Sequence, residues 1–276
     1  MIKQAIIPLA GQGTRLLPLT SVFAKELLPI NGKPGIEYII EECIDAGIKE
    51  IIFIISKKKI MIKNYFYNDK LYKNVIKKKK DPRIINEYKK ILKYRKMIKF
   101  AYQNKPLGTG DAVLKAKKYI KDKYFLLLLP DDLIIKKNCS KSMISVNTKY
   151  NASVIASMKV KKKDVSRWGI FNTNKKINSN NFSINSVVEK PDVQNAPSNK
   201  AVIGRYILPI NIFDKLNTQK AGKDGEIHIT DAIQSLINDG EKFIAHNFSG
   251  KYLDCGSMTG FIKSSKEISK IWNFAW

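Results

Sequence analysis

Apolar residues along this chain follow two rhythms. Short unbroken runs, Ala5–Leu9, Glu50–Ser56 and Phe125–Leu129, have strand length and no polar face, the pattern of parallel strands covered on both sides. Gly35–Ala46 instead sets Ile36, Ile39, Ile40, Cys43 and Ile44 at helical spacing, and Gly47 follows as a stop. Strand, helix, strand in that order predicts a βαβ unit and an α/β domain. Further strands are expected at Ile98–Gln103, Ser153–Lys159, Ala201–Leu208 and Lys251–Cys255. Helices are expected at Gly110–Tyr119, Ile229–Asn238 and near Phe261–Trp272, with Thr230 and Asp231 offering caps for the second. Residues 57–99, rich in Lys and aromatics, read as a helical surface insertion. Trp168–Glu189, rich in Asn and Ser between β-prone pieces, predicts hairpins in a lobe over about 160–200. Neither an internal repeat nor a separating linker interrupts residues 1–276, so one domain is expected.

Charge changes the picture less than its size suggests. The net +26 comes from 50 Lys and Arg against 24 Asp and Glu, but only five are arginines: Arg15, Arg83, Arg95, Arg167 and Arg205. A nucleic-acid reader uses arginine forks, often beside aromatic platforms. Lysine spread among Ile and Asn is a solvated surface, so no specific nucleic-acid partner is expected. Cys43, Cys139 and Cys255 show neither a CxxC pair nor metal spacing, as befits reduced thiols. Apolar runs fall far short of the roughly 20 residues that span a bilayer, and Pro8 and Gly11 interrupt the N-terminal one. A cytoplasmic protein with no membrane contact is the expectation.

Candidate chemistry begins just past the first strand, in LAGQGTRLLPLTSVFAKELLPI (Leu9–Ile30). Glycines let backbone N–H groups approach phosphate oxygens. Arg15 adds a planar fork and Lys25 a mobile point charge. A dinucleotide fingerprint would need glycine where Leu16 stands, and a P-loop would need Gly-Lys-Ser/Thr. Asp131 follows an apolar strand, at the end where open α/β sheets bind ligands. His228 and His246 have no partner pattern suited to catalysis.

The stretch GQGTRLLPLTSVFAKELLPINGKP resembles the signature of the nucleoside-triphosphate sugar-1-phosphate nucleotidyltransferases. Its Lys25-Glu26 pair is more similar to the bacterial UTP–glucose-1-phosphate uridylyltransferases than to the thymidylyl enzymes. The resemblance continues in order through ECIDAGIKEI, Gln103 with LGTGDAV, LLPDD, VVEKPDVQNAPSNKAVIGRYIL, GEIHITDAI and LDCGS. It implies a single α/β domain with a Rossmann-like mixed central sheet flanked by helices, plus a small sugar-binding β lobe. The implied reaction is UTP plus glucose 1-phosphate giving UDP-glucose and pyrophosphate. The sugar phosphate is already a nucleophilic anion, so a direct in-line displacement needs positioning and fixed positive charge more than a base.

The resemblance also implies roles. Ala10, Gly11, Gly13, Glu26, Gln103 and Gly108 would hold the nucleotide, with Gln103 and Gly108 on the uracil. Arg15 and Lys25 would meet the triphosphate. Gly169, Glu189 and Lys190 would hold the sugar phosphate, and Asp131 and Asp254 would bind Mg²⁺, an ion suited to oxygen donors and substrate phosphates. Asp132 stays unassigned, as a spare charge or a cap. Arg205 is either a phosphate ligand or a strand-edge salt-bridge partner. Several positions depart from the uridylyltransferase pattern: Asp111 for His, Thr109 for Leu, Ala24 for Pro, Gly35 for an apolar residue and Trp168 for Tyr. Asp111 leaves dTTP or another sugar 1-phosphate as an alternative, and a non-catalytic basic binding protein of the same fold is the rival from another class. The short C-terminus leaves a homo-oligomer open.

Overall fold

A computed structural model describes residues 2–222 and 224–271. The chain opens with β1 (Gln4–Pro8), a short hairpin of β2 (Pro29–Ile30) and β3 (Lys33–Pro34), then α1 (Gly35–Asp45) and β4 (Glu50–Ile55). Three helices follow, α2 (Ile60–Tyr67), α3 (Lys70–Lys79) and α4 (Pro82–Met97), leading to β5 (Ile98–Tyr102), α5 (Gly108–Leu114) and β6 (Tyr124–Leu128). Next come β7 (Asp132–Ile135), α6 (Cys139–Tyr150), β8 (Ser153–Lys159) and the hairpin of β9 (Gly169–Lys176) and β10 (Asn181–Glu189). The remaining elements are β11 (Lys200–Pro209), α7 (Ile212–Thr218), α8 (Ile229–Asn238), β12 (Phe243–Asn247), β13 (Lys251–Asp254) and α9 (Met258–Ser269).

Nine strands form one mixed sheet in the order β5-β4-β1-β6-β11-β8-β12-β10-β9. Strands β5, β4, β1 and β6 run parallel, as the βαβ reading requires, while β11 runs antiparallel to both β6 and β8. The side-chain period of two explains the unbroken apolar runs. Ala5, Ile7, Ile51, Phe53 and Ile55 face one core, under α1, α2, α4 and α6; Ile6, Ile52 and Ile54 face the other, under α5, α7 and α8. The expected lobe is the β9–β10 hairpin, which continues the central sheet at one end through β12.

Several expectations shift on contact with the structure. The helix placed at 110–119 begins at Gly108 and ends at Leu114, with a separate 3₁₀ turn over Lys117–Tyr119. Residues 57–99 are more than surface: Ile62, Phe66, Ile91 and Tyr94 are buried in the first core, and Lys59 is buried as well. Thr230 and Asp231 do not cap α8; His228 is the N-cap residue, with no side-chain cap bond, and Asp231 sits in the first turn. The last helix starts three residues earlier than expected, and Trp272 lies outside the described residues.

One small element matters most for the site. Outside the main sheet, β7 and β13 pair antiparallel with Asp254 opposite Asp132, and the Cys255 N–H donates to the Asp131 carbonyl at 2.7 Å. Two acidic positions far apart in sequence are thereby tied together.

Candidate active site

Loops at the carboxyl ends of β1, β5 and β6 converge, the place where parallel α/β sheets offer exposed backbone and side chains. They wall two cavities that share Thr14, Leu129, Asp131 and Glu226. The first, about 470 Å³, is lined by Ala10, Gly11, Gly13, Lys25, Glu26, Gln103 and Gly108. The second, about 770 Å³, is lined by Arg15, Gly169, Glu189, Lys190, Asp132 and Asp254. Every residue expected from sequence at the nucleotide end, apart from Arg15, thus lines the first chamber. The sugar-end residues line the second, and Asp131 belongs to both.

At the junction, Asp131 Oδ2 accepts from Lys25 Nζ at 2.9 Å and Arg15 Nη2 at 3.2 Å. Burial works to raise the Asp131 pKa, but Lys25 and Arg15 outweigh it and hold the carboxyl below its ordinary range. Burial likewise works to lower Lys25, and Asp131 with Glu26 more than reverse it, leaving the ammonium above its usual value. Lys25 is therefore a fixed cation. Arg15 is different: its side chain is 64% exposed, and Asp131 holds it at the cavity mouth.

Asp254 accepts from the Gly256 N–H at 2.8 Å and lies 3.9 Å from Arg167 Nη2. A Cβ at Gly256 would stand 2.6 Å from Arg15 Nη2, 2.7 Å from Asp131 Oδ2 and 3.2 Å from Asp254 Oδ1, so glycine there lets the two carboxylates and the Arg15 guanidinium crowd together. Two carboxylates in the wall of one cavity supply the hard oxygen donors that suit a divalent cation taking its remaining ligands from water and phosphate. Asp132 is built otherwise. Its Oδ2 accepts from the Gly204 N–H at 2.8 Å and its Oδ1 from Tyr252 at 2.7 Å; burial, then the neighbouring Asp131 charge, push its carboxyl up to about 6.

Gln103 directly follows β5, with its side-chain nitrogen donating to the Gly108 carbonyl and to Asp111 Oδ2, both at 2.9 Å. Its Oε1 has no protein partner among the described residues and is not sealed from solvent, so an acceptor faces the first cavity. Gly108 has φ +90°, and a Cβ there would sit 2.8 Å from the Ile227 carbonyl, so only glycine allows this approach. Glu26 lines the same cavity, but its carboxylate is buried and takes two hydrogen bonds from Lys59 at 2.8 Å. Its expected contact with nucleotide is therefore limited to what that ion pair leaves open.

In the second cavity, Lys190 turns the chain at φ +44°, a costly conformation outside glycine, with its side chain 64% exposed and its ammonium 3.9 Å from Glu189. Trp168 stands edge-on to Tyr252 at 5.5 Å between ring centres. Arg205 lines neither cavity. It is wholly buried, pairs with Glu42 at 2.8 Å, and donates to the carbonyls of Leu129, Gly204 and Asp132, which settles it as a structural cation.

The sequence reading missed Thr14, Arg167, Glu226 and Thr230. Thr230 lines the second cavity, and its Oγ1 is buried without a partner among the described residues, which suits a ligand hydroxyl. A capping role hid it. Glu226, in both cavities, was quoted within GEIHITDAI and given no role; it gathers with Asp224 and His228 within 4.8 Å, and His228 bonds Asp224 at 2.9 Å. The cysteines are buried and free, as expected. Among the described residues no helix is long and apolar enough to cross a membrane.

The profile of a family described as nucleotidyl transferase matches residues 4–271. A UTP–glucose-1-phosphate uridylyltransferase of Streptococcus pyogenes is 40% identical over 272 residues, covering 96% of this chain and 88% of that protein. A crystal structure of UDP-glucose pyrophosphorylase complexed with UDP-glucose superposes with a TM-score of 0.86 at 36% identity, covering 99% of this chain and 100% of that one. A UTP-bound enzyme of the same kind from Acinetobacter baumannii gives 0.89 at 34% identity, covering 99% of this chain and 95% of that one.

Proposed function

The chain belongs to the nucleotidyl transferase family, and from that premise we propose that it is a UTP–glucose-1-phosphate uridylyltransferase. It moves the uridylyl group of UTP onto glucose 1-phosphate, giving UDP-glucose and pyrophosphate. The observation that carries the assignment of residues is that two cavities share Asp131 in their walls, one lined by Gln103 and Gly108 and the other by Gly169, Glu189 and Lys190.

In this reading the uracil lies against Gln103 and Gly108, with the Gln103 Oε1 accepting from the ring N–H. The triphosphate runs along Ala10, Gly11 and Gly13 toward Lys25 and Arg15. Both cations spend their charge on Asp131 in the free protein, and Arg15, the exposed one, swings to the phosphates. Gly169, Glu189 and Thr230 hold the glucose, and Lys190 neutralises its phosphate. A phosphate oxygen of the sugar attacks the α-phosphorus; the new O–P bond forms as the α–β bridge breaks and pyrophosphate departs with that electron pair. No proton moves, so no base is needed, and the task of the side chains is to align two polyanions and cancel their repulsion.

Asp131 and Asp254 would hold Mg²⁺, whose contribution is to draw charge from the phosphate oxygens. Pyrophosphate release across a panel of UTP, dTTP, CTP and ATP with several sugar 1-phosphates tests the reading. The UTP and glucose 1-phosphate pair should dominate, and Lys190→Ala should lose about 10²–10³-fold in turnover. Full activity in that variant, or preference for another pair, overturns it.

A further inference from the structure

We propose that Asp111 is a positioning residue for nucleobase choice: it locks the Gln103 amide with its oxygen, and only its oxygen, toward the base. The inference rests on reading the first cavity as the nucleotide site. An amide is ambiguous, because rotation by half a turn exchanges an acceptor for a donor. Here rotation is blocked. The Gln103 nitrogen is held between two acceptors at 2.9 Å, the Gly108 carbonyl and Asp111 Oδ2, and the reversed amide would set oxygen against oxygen at both. Asp111 itself is buried, and its second oxygen takes Lys115 at 2.9 Å, so it cannot rotate away.

The other acceptor is equally fixed. The Gly110 N–H donates to the Ile227 carbonyl at 2.7 Å, and the Ile227 N–H donates to the Leu107 carbonyl at 2.8 Å, pinning the loop that carries Gly108. A fixed carbonyl at the cavity wall selects a base whose ring nitrogen carries a hydrogen. Uracil and thymine have one between two carbonyls; cytosine presents a bare ring nitrogen there. Opposing two buried acceptors forfeits a hydrogen bond and desolvates both, worth about 10- to 100-fold in affinity. The amide lock therefore separates UTP from CTP and is blind to the difference between UTP and dTTP.

Steady-state pyrophosphate release from UTP and from CTP tests this in wild type, Asp111→Asn and Asp111→Leu. Asn offers Lys115 its oxygen and so turns its nitrogen toward Gln103, opposing the lock; Leu supplies no anchor. The UTP-to-CTP ratio of kcat/KM should fall about 10- to 100-fold in both variants, mainly through a higher KM for UTP. Parallel losses on both nucleotides, with the ratio kept, would mean that Asp111 only supports the fold and would overturn the proposal. If either variant melts too low to assay, a crystal of the wild type with UTP decides: Gln103 still on Asp111 supports the lock, and Gln103 parted from Asp111 refutes it. A wild type that uses UTP and CTP alike, unaffected by Gln103→Ala, would instead sink the nucleotide-site reading.

Discussion

Replacing Arg205 by Met should be among the most damaging single changes in this chain, although the side chain touches neither cavity. Its guanidinium is wholly buried and makes three hydrogen bonds to the Glu42 carboxylate, at 2.8, 3.1 and 3.1 Å. It also donates to the carbonyls of Leu129 at 3.1 Å and Asp132 at 2.6 Å, on either side of Asp131. Removing one partner of a buried ion pair leaves the other charge uncompensated, at a cost of about 3–5 kcal/mol. Among the described residues Glu42 keeps only the Ser140 N–H and hydroxyl as close donors, which offsets little of that. Urea denaturation followed by circular dichroism should show this loss for Arg205→Met. Adding Glu42→Leu should recover most of it, because the stranded charge goes too. Turnover should fall in both the single and the double variant, since the loop bearing Asp131 loses two anchors. An Arg205→Met protein within about 1 kcal/mol of wild type, the value of an exposed pair, would refute the reasoning.

The neighbouring carboxylates should separate cleanly. Asp131→Asn removes the charge that Lys25 and Arg15 share and a metal donor, and turnover should fall by at least about 10³-fold. Asp132→Asn can still accept from Gly204 and donate to the Tyr252 oxygen, so it should lose less than about 10-fold, corresponding to one modest hydrogen bond; equal losses in steady-state assays would undo the assignment. Burial depresses the pKa of His246. The unfolded chain therefore binds more protons as pH falls below the ordinary histidine value, and stability is present above about 6.5 and lost toward the folded pKa. Melting temperature should drop from pH 7 to 5 with a shallower slope in His246→Gln, and an unchanged slope would contradict this.

Much of this molecule was legible because its strands are apolar on both faces. Runs such as EIIFII have one reading at that length, and the glycine loop follows the first of them. Short elements were harder. The β7 strand, DLII, directly follows Pro130-Asp131 and looks like the tail of β6, and β12, FIAHN, carries its polar residues at one end. Without β7 the β7–β13 ribbon was invisible, and with it the physical reason that Asp131 and Asp254 meet. Their pairing came from resemblance to a family; the register sets Asp254 opposite Asp132, and the Cys255 N–H bond to the Asp131 carbonyl brings Asp131 alongside. Lys59 was lost among its neighbours in KKKI because composition marks lysine as surface, and only packing reveals that Glu26 draws it inside. Arg205 had two readings in the sequence for the same reason: a strand position does not say whether its side chain faces ligand or core.

Central to this account is the claim that base, metal and sugar phosphate occupy a single continuous channel hinged at Asp131. A crystal structure with UTP and Mg²⁺ tests it most directly. The uracil should lie against Gln103 and Gly108, the triphosphate along residues 10–25, and the ion should bridge Asp131, Asp254 and a phosphate oxygen. Nucleotide bound elsewhere, or an ion held by neither carboxylate, would contradict the account.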